Sequence, residues 1–274
     1  MNIIIKFPVR IIAVILLWGI QANAQATAIA QGTALADWTT FSISGPISVA
    51  SDGNRTYTSA DSFVANNNGF DNDIDSATGW TTPVNASSSF ENDSSGSTAN
   101  AVELRSTDNV SAPSATSGFT FNSAGSLTEV SRLGDYIVTA DGDITLQVNY
   151  SLSASGSTEL PGETAWINVL VYMEFYIDGI GPAPVASDFA SINTQLMDGA
   201  SGQWQQSGTL SLSYAVTAGT TGFFHVTTVA NNIAQTRLPL PAPIALIGLG
   251  LLVLYRQRKK LPINYKEQRL AIIG

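Results

Sequence analysis

Polar and apolar residues alternate along the middle of the chain. Ile144, Leu146, Val148, Tyr150 and Leu152 take every second position, and Thr145, Gln147, Asn149 and Ser151 fill the places between. Successive side chains of a strand point to opposite faces, so the pattern predicts a strand with one packed face and one wetted face. Asp141-Gly142, a two-residue turn signal, predicts a hairpin joining Tyr136–Ala140 to Asp143–Ser153. Trp166–Ile177 is apolar on both faces, with Ile167, Val169, Val171, Met173, Phe175 and Ile177 on one and Leu170, Tyr172 and Tyr176 on the other. Its β-branched and aromatic content argues against a helix, and two apolar faces predict a central strand covered on both sides. Leu210, Leu212, Tyr214 and Val216 alternate with polar or small residues, and Ala218-Gly219 then predicts a second hairpin into Phe223–Val229.

Residues 51–126 lack this pattern. They are rich in Ser, Thr, Asn, Asp and Gly, with Tyr57, Phe63, Phe70, Trp80, Phe90, Phe119 and Phe121 scattered among them. The aromatic residues predict loops around short strands inside a folded domain instead of a linker, with Asn85–Asn100 the most disorder-like piece. No helical period or internal repeat shows in the body. The expected fold is therefore all-β, an antiparallel β-sandwich or jelly-roll-like domain.

The two ends read differently. Lys6 and Arg10 precede the apolar stretch Ile11–Ile20, and Ala22-Asn23-Ala24 places small residues at both positions a signal peptidase reads. Residues 1–24 are thus expected to be a signal peptide, with Ala26-Thr27-Ala28 a second possible cut. At the other end, Leu238-Pro239-Leu240-Pro241-Ala242 leads into an apolar run to Tyr255 and a basic stop of Arg256, Arg258, Lys259 and Lys260. As a helix, Ala242–Tyr255 rises roughly 21 Å, short for the ~30 Å of a bilayer core. Pro243 suits a first helical turn, and the cations orient the segment with its basic end in the cytoplasm. The expected division is a signal peptide (1–24), an exported β-rich domain (25–237), a sorting signal with a membrane helix (238–260) and a cytoplasmic extension (261–274).

This tail resembles the PEP-CTERM family of bacterial protein-sorting signals. Leu238–Ala242 is most similar to the VPLPA variant, with Leu238 where that variant has valine. The resemblance covers about a tenth of the chain. It implies recognition and processing by an exosortase, in a Gram-negative bacterium that makes extracellular polysaccharide. Family tails usually stop soon after the basic cluster, whereas this chain runs on through Leu261–Gly274.

Charge sharpens the division. Between Gln25 and Arg237 the cations are Arg55, Arg105, Arg132 and Arg237, with no lysine, against twenty acids, a net charge of −16 that the whole-chain value of −9 conceals. Such a field repels phosphate backbones and anionic lipid headgroups, so no nucleic-acid partner is expected. Cysteine is absent, which removes disulfides, thiolate metal sites and cysteine nucleophiles.

Candidate chemistry is sparse. His225 is the only histidine, no Gly-x-Ser-x-Gly elbow surrounds a serine, and the local pattern explains His225 as a sheet residue. Among the acids near the strongest strands, Glu159 and Glu163 read as surface residues, while Glu174 interrupts an apolar strand. Asp71, Asp73 and Asp75 resemble the opening of a calcium-binding loop and are the one metal candidate. Ser76 then stands at the usual glycine position and Thr82 at the usual glutamate, so no metal or other cofactor is assigned. Of the tryptophans, Trp166 reads as core, and Trp80 and Trp204, in polar contexts, as the better sugar-stacking candidates. Trp38 carries no assignment beyond a general capacity for stacking. The function expected is that of a noncatalytic exported surface or matrix protein. Its processing partners are signal peptidase and an exosortase, and it resides in the inner membrane during sorting. The alternative is a secreted carbohydrate-binding or carbohydrate-active protein with polysaccharide as its partner.

Overall fold

The computed structural model describes residues 27–51, 53–64, 69–91, 93–112 and 121–237, with Phe121, Asn122 and Arg237 described by backbone alone. The expected signal peptide, sorting motif and basic stop lie outside these residues. The described residues form strands and no helix. In chain order the strands are β1 (Ala28–Ser44), β2 (Ile47–Val49), β3 (Arg55–Val64), β4 (Gly69–Thr78), β5 (Val84–Phe90), β6 (Asp93–Ala99) and β7 (Glu103–Ala112). They continue as β8 (Phe121–Val138), β9 (Gly142–Ser157), β10 (Thr164–Ile177), β11 (Ala186–Met197), β12 (Ser201–Val216) and β13 (Thr221–Arg237). They make two antiparallel sheets, a six-stranded one ordered β12-β9-β1-β7-β6-β5 and a seven-stranded one ordered β11-β10-β13-β8-β3-β4, with β2 added on β8. Inward side chains of both sheets join in one core.

The two expected hairpins are arches between the sheets. Asp141-Gly142 reverses the chain, but β8 pairs with β3 and β13 while β9 pairs with β1 and β12. The second arch runs from β12 in one sheet through Ala218-Gly219 to β13 in the other. The turn residues fix the reversal, and the apolar faces decide the partner. Across the core β8 buries its inward face against β7 and β6, and β9 buries its own against β10 and β11, so each apolar face is covered by the opposite sheet. The arches support each other, since Ala218 N–H donates to Asp141 Oδ1 at 2.7 Å and Val138 N–H to Thr220 O at 2.8 Å.

Residues 51–126 contribute five regular strands, β3 to β7, where loops around short strands were expected, and the disorder-like stretch Asn85–Asn100 falls on the paired strands β5 and β6. Alternation is present there, but its inward residues are small and hydroxylated. Ser62, Ser88, Ser95, Ser97 and Ser106 are buried. Ser62, Ser88 and Ser95 share hydrogen bonds of 2.7–3.2 Å, Ser97 Oγ donates to Ser59 O, and Ser106 Oγ to Thr228 O across the core. Asp93 and Asp108 are buried in the same region. Burial pushes Asp93 up to about 7, although Ser111 N–H bonds to its carboxylate, and it pushes Asp108 well above the usual carboxylate range. The other half of the interior is apolar, with Ile144, Leu146, Val148, Ile167, Val169, Val171, Met173 and Phe175 all at full burial.

One open edge is laced by three aspartates, and the other carries a single bond of the same kind. Asp71, Asp73 and Asp75 on β4 accept the backbone N–H of Ser89, Ser87 and Asn85 on β5, at 2.8, 2.9 and 3.2 Å. These amides point away from β6, so the carboxylates take the place of a missing neighbour strand. On the opposite side Asp188 of β11 accepts Ser211 N–H of β12 at 2.7 Å.

Candidate functional site

The outward faces of the two sheets differ in kind. On the six-stranded sheet Gln31, Gln147 and Asn149 face out and bond to polar neighbours: Gln31 Nε2 donates to Asn109 Oδ1, Gln147 Nε2 to Ser211 Oγ, and Asn149 Oδ1 accepts from Thr209. A groove of about 600 Å³ runs there beside Gln31, Ser153, Ser155, Gln203 and Gln205. Among the described residues the seven-stranded sheet carries six of the eight exposed large hydrophobic residues: Phe70, Ile74, Leu127, Ile137, Phe189 and Met197, Phe189 being 69 % exposed. Among the described residues no element covers this face.

Register orders its side chains into lanes that cross the strands. One lane reads Asn193, Asn168, Asn231, Leu127, Asp61 and Asn72 from β11 to β4. Beside it runs a second lane of Gln195, Trp166, Ile233, Gly125, Phe63 and Phe70. Trp166 Nε1 donates to Asn193 Oδ1 at 2.9 Å, which ties the indole to the amide lane. Gly125 has no Cβ, and the Phe63 ring lies against it, in space a larger residue would claim. Asp61 and Asn72 bond to each other. Asn168 and Asn231 direct amides outward that have no hydrogen-bond partner among the described residues.

Farther along the same face, His225 Nε2 bonds Glu174 Oε2, and the Tyr176 hydroxyl donates to that oxygen at 2.7 Å. The rings of Tyr172 and Tyr176 stand edge-on to the imidazole, and Phe223 stacks on Tyr176. Burial, the bond to Glu174 and the charge of Glu174 push the Tyr176 phenol up to about 12, so it stays protonated and donates at neutral pH. Glu174 is thus shared between an imidazole and a phenol, and among the described residues no hydroxyl nucleophile bonds His225. The arrangement can present an acid-and-aromatic rim to a polar ligand.

Several sequence readings are corrected. Trp166 is on the open outer face, because its parity is that of Leu170, Tyr172 and Tyr176 and opposite to the buried Ile167–Phe175 set; that face is half-buried, not covered. Trp80 packs in an aromatic cluster with Trp38, Phe41 and Phe224, and its Nε1 donates to Leu133 O at 2.8 Å. Arg132, fully buried, lies 4.6 Å from the Trp38 ring and donates to Asn100 O; burial lowers it to about 10, so it remains a cation at neutral pH. Trp204 is partly buried against the core and borders the groove on the six-stranded sheet. Glu163 is fully buried and caps a turn, its Oε2 accepting the N–H of Glu159 and Leu160 at 2.6 and 2.8 Å.

Asp71, Asp73 and Asp75 lie along an edge, each on a different backbone amide. Alternate residues of a strand stand roughly 6.5–7 Å apart, too far for three carboxylates to converge on one ion without bending the strand. Among the described residues no group of three or more His, Asp or Glu side chains is placed to hold a metal. The sequence reasoning missed the amide lane, because residues 168, 193 and 231 become neighbours only through register.

No family model matches the chain, and no curated protein is significantly similar to it.

Proposed function

We propose that this chain is a noncatalytic exported protein of the cell surface or extracellular matrix of a Gram-negative bacterium. In this reading signal peptidase cuts after Ala24, and an exosortase reads Leu238–Ala242 while the following helix and basic stop hold the chain in the inner membrane. The observation that carries it is the position of the tail. The last strand ends at Arg237, and Leu238-Pro239-Leu240-Pro241-Ala242 begins at the next residue. A cut within the motif thus leaves every described strand in the released product. A β body with one edge closed by three aspartate side chains suits life outside the cell, where exposed strand edges invite aggregation.

Intact-mass spectrometry of the mature protein from inner membrane, outer membrane and medium tests this. The expected product starts near Gln25 and ends within Leu238–Ala242. A chain that keeps residues 238–274 in the inner membrane would reduce the tail to a plain anchor and sink the sorting claim.

A second reading, a secreted carbohydrate-binding protein, is favoured by the open seven-stranded face, where aromatic and amide residues lie in adjacent lanes. It is compatible with the first, since a matrix protein needs something to hold.

A further inference from the structure

We propose that the outer face of the seven-stranded sheet binds a neutral polysaccharide laid across the strands, stacked on Trp166 at one end and on Phe63 and Phe70 at the other, and hydrogen-bonded by Asn168, Asn193 and Asn231. This names a site and a ligand class for the carbohydrate-binding reading and rests on it.

A sugar ring has apolar C–H faces and a rim of hydroxyls that both donate and accept. It therefore fits a surface where flat aromatic rings adjoin groups of the same dual character. Carboxamides have that character; Lys and Arg only donate, and carboxylates only accept. The two lanes supply the pair. Trp166 is fixed by its bond to Asn193, Phe63 is seated on Gly125, and Phe70 is 64 % exposed. The amides of Asn168 and Asn231 have hydrogen-bonding capacity to spare, whereas Gln31, Gln147 and Asn149 of the opposite face spend theirs on neighbours.

Dimensions favour a polymer. Six strands at ~4.8 Å spacing put the ends of a lane about 24 Å apart, more than one sugar can bridge. Charge favours a neutral one. Asp61 continues the amide lane beyond Leu127, Glu129 stands on the strand next to Asn231, the body has no lysine, and Arg55 on the same face stands 3.7 Å from Asp135. A polyuronate or sulfated glycan meets repulsion here. A second copy of the chain fits less well, because the middle of a protein–protein contact is normally its most apolar part, and here the polar lane of Asn193, Asn168 and Asn231 runs beside the aromatic residues.

The test is affinity electrophoresis of the full-length chain in a zwitterionic, sugar-free detergent, through gels containing hydroxyethylcellulose, glucomannan, xylan or alginate. The parent is expected to be retarded by at least one neutral polymer and not by alginate. Trp166→Ala should weaken that retardation about tenfold and Asn168→Ala/Asn231→Ala several-fold, with Trp166→Phe recovering part of the loss. Gln203→Ala/Gln205→Ala on the opposite face should match the parent, and unchanged circular dichroism should show that each variant is folded. Retardation that survives both lane variants removes this site and leaves carbohydrate binding standing. No retardation by any neutral polymer, or equal retardation by alginate, removes both. Sedimentation showing a dimer that Trp166→Ala dissociates would assign the face to a second copy and overturn the proposal.

Discussion

The two halves of the interior reach the same architecture by different chemistry. Around β9, β10 and β12 the inward positions hold Ile, Leu, Val, Met and Phe, while around β3, β5, β6 and β7 they hold mainly Ala, Ser, Thr and two aspartates. A large apolar side chain gains free energy wherever it leaves water, about 25 cal/mol per Å², regardless of which apolar neighbour it meets. A buried hydroxyl gains about 1 kcal/mol only when its partner stands within hydrogen-bond reach, and costs more than that when it does not. The apolar half is thus held by area, the hydroxyl half by register and by the spacing between the sheets. Ser106 makes this concrete. Its hydroxyl bonds Thr228 O at 2.9 Å and Thr228 Oγ1 at 3.0 Å in the facing sheet, a pairing that a small change in sheet separation breaks.

The sharpest challenge to this contrast is a truncation in the apolar half. Phe175, fully buried and stacked on Tyr136 at 4.7 Å, should cost about 3–5 kcal/mol as Phe175→Ala in urea unfolding. A cost below that of the serine change described last would erase the distinction between the halves.

Next in size is the seam at the hydroxyl end. Replacing Asp71, Asp73 and Asp75 together by alanine frees three β5 amides. The expected loss is about 1 kcal/mol for each bond, together with concentration-dependent association through the bared edge. Urea midpoints and light scattering read both effects. An unchanged midpoint with no scattering would show that the carboxylates only decorate the edge.

Asp93 gives an effect of opposite sign. In the folded protein its carboxyl keeps a proton up to about 7, whereas the unfolded chain releases it near 3.8, so the native state binds more protons between those values. Its contribution to stability is full below 3.8 and is lost as pH rises through about 7; Asp108 acts in the same direction. Asp93→Asn should therefore leave stability at pH 4 nearly unchanged and raise it at pH 8 by about 1–2 kcal/mol. Thermal melts across that range decide it. A variant that is no more stable than the parent at pH 8 would mean the carboxylate is not strained by burial.

The smallest change is Ser97→Ala, which removes one hydroxyl bond, 3.0 Å to Ser59 O, without opening a large cavity. It should cost about 0.5–1.5 kcal/mol. A loss comparable to that of Phe175→Ala would show the hydroxyls acting as one cooperative network.

How much of the fold could be read in advance follows the same divide. β9 and β10 stood out because their buried positions are large and apolar at period two. β5 and β6 did not, because serine at an inward position is indistinguishable in sequence from serine in a loop. What separates them is the partner, as when Ser88 and Ser95 meet at 2.7 Å. Trp166 was legible in part. Its parity against Ile167 and Val169 set it on the second face of β10, but whether that face is covered depends on the other layers. Trp80, in a run of Gly, Thr and Pro, carried no sign that Trp38 and Phe224 would close around it.

By itself the sequence determined the core strands β9, β10 and β12 of the apolar half, two of the places where the chain reverses, the absence of a disulfide framework and a body almost without cations. These are local or additive properties, set by side-chain period, turn chemistry and composition. The tertiary structure alone decided that both reversals arch between sheets, that three aspartates close an edge, and that Asn168, Asn193 and Asn231 stand in one lane beside Trp166. Each of these depends on register between strands distant in sequence. Register is fixed by the whole set of facing surfaces, which no single segment carries.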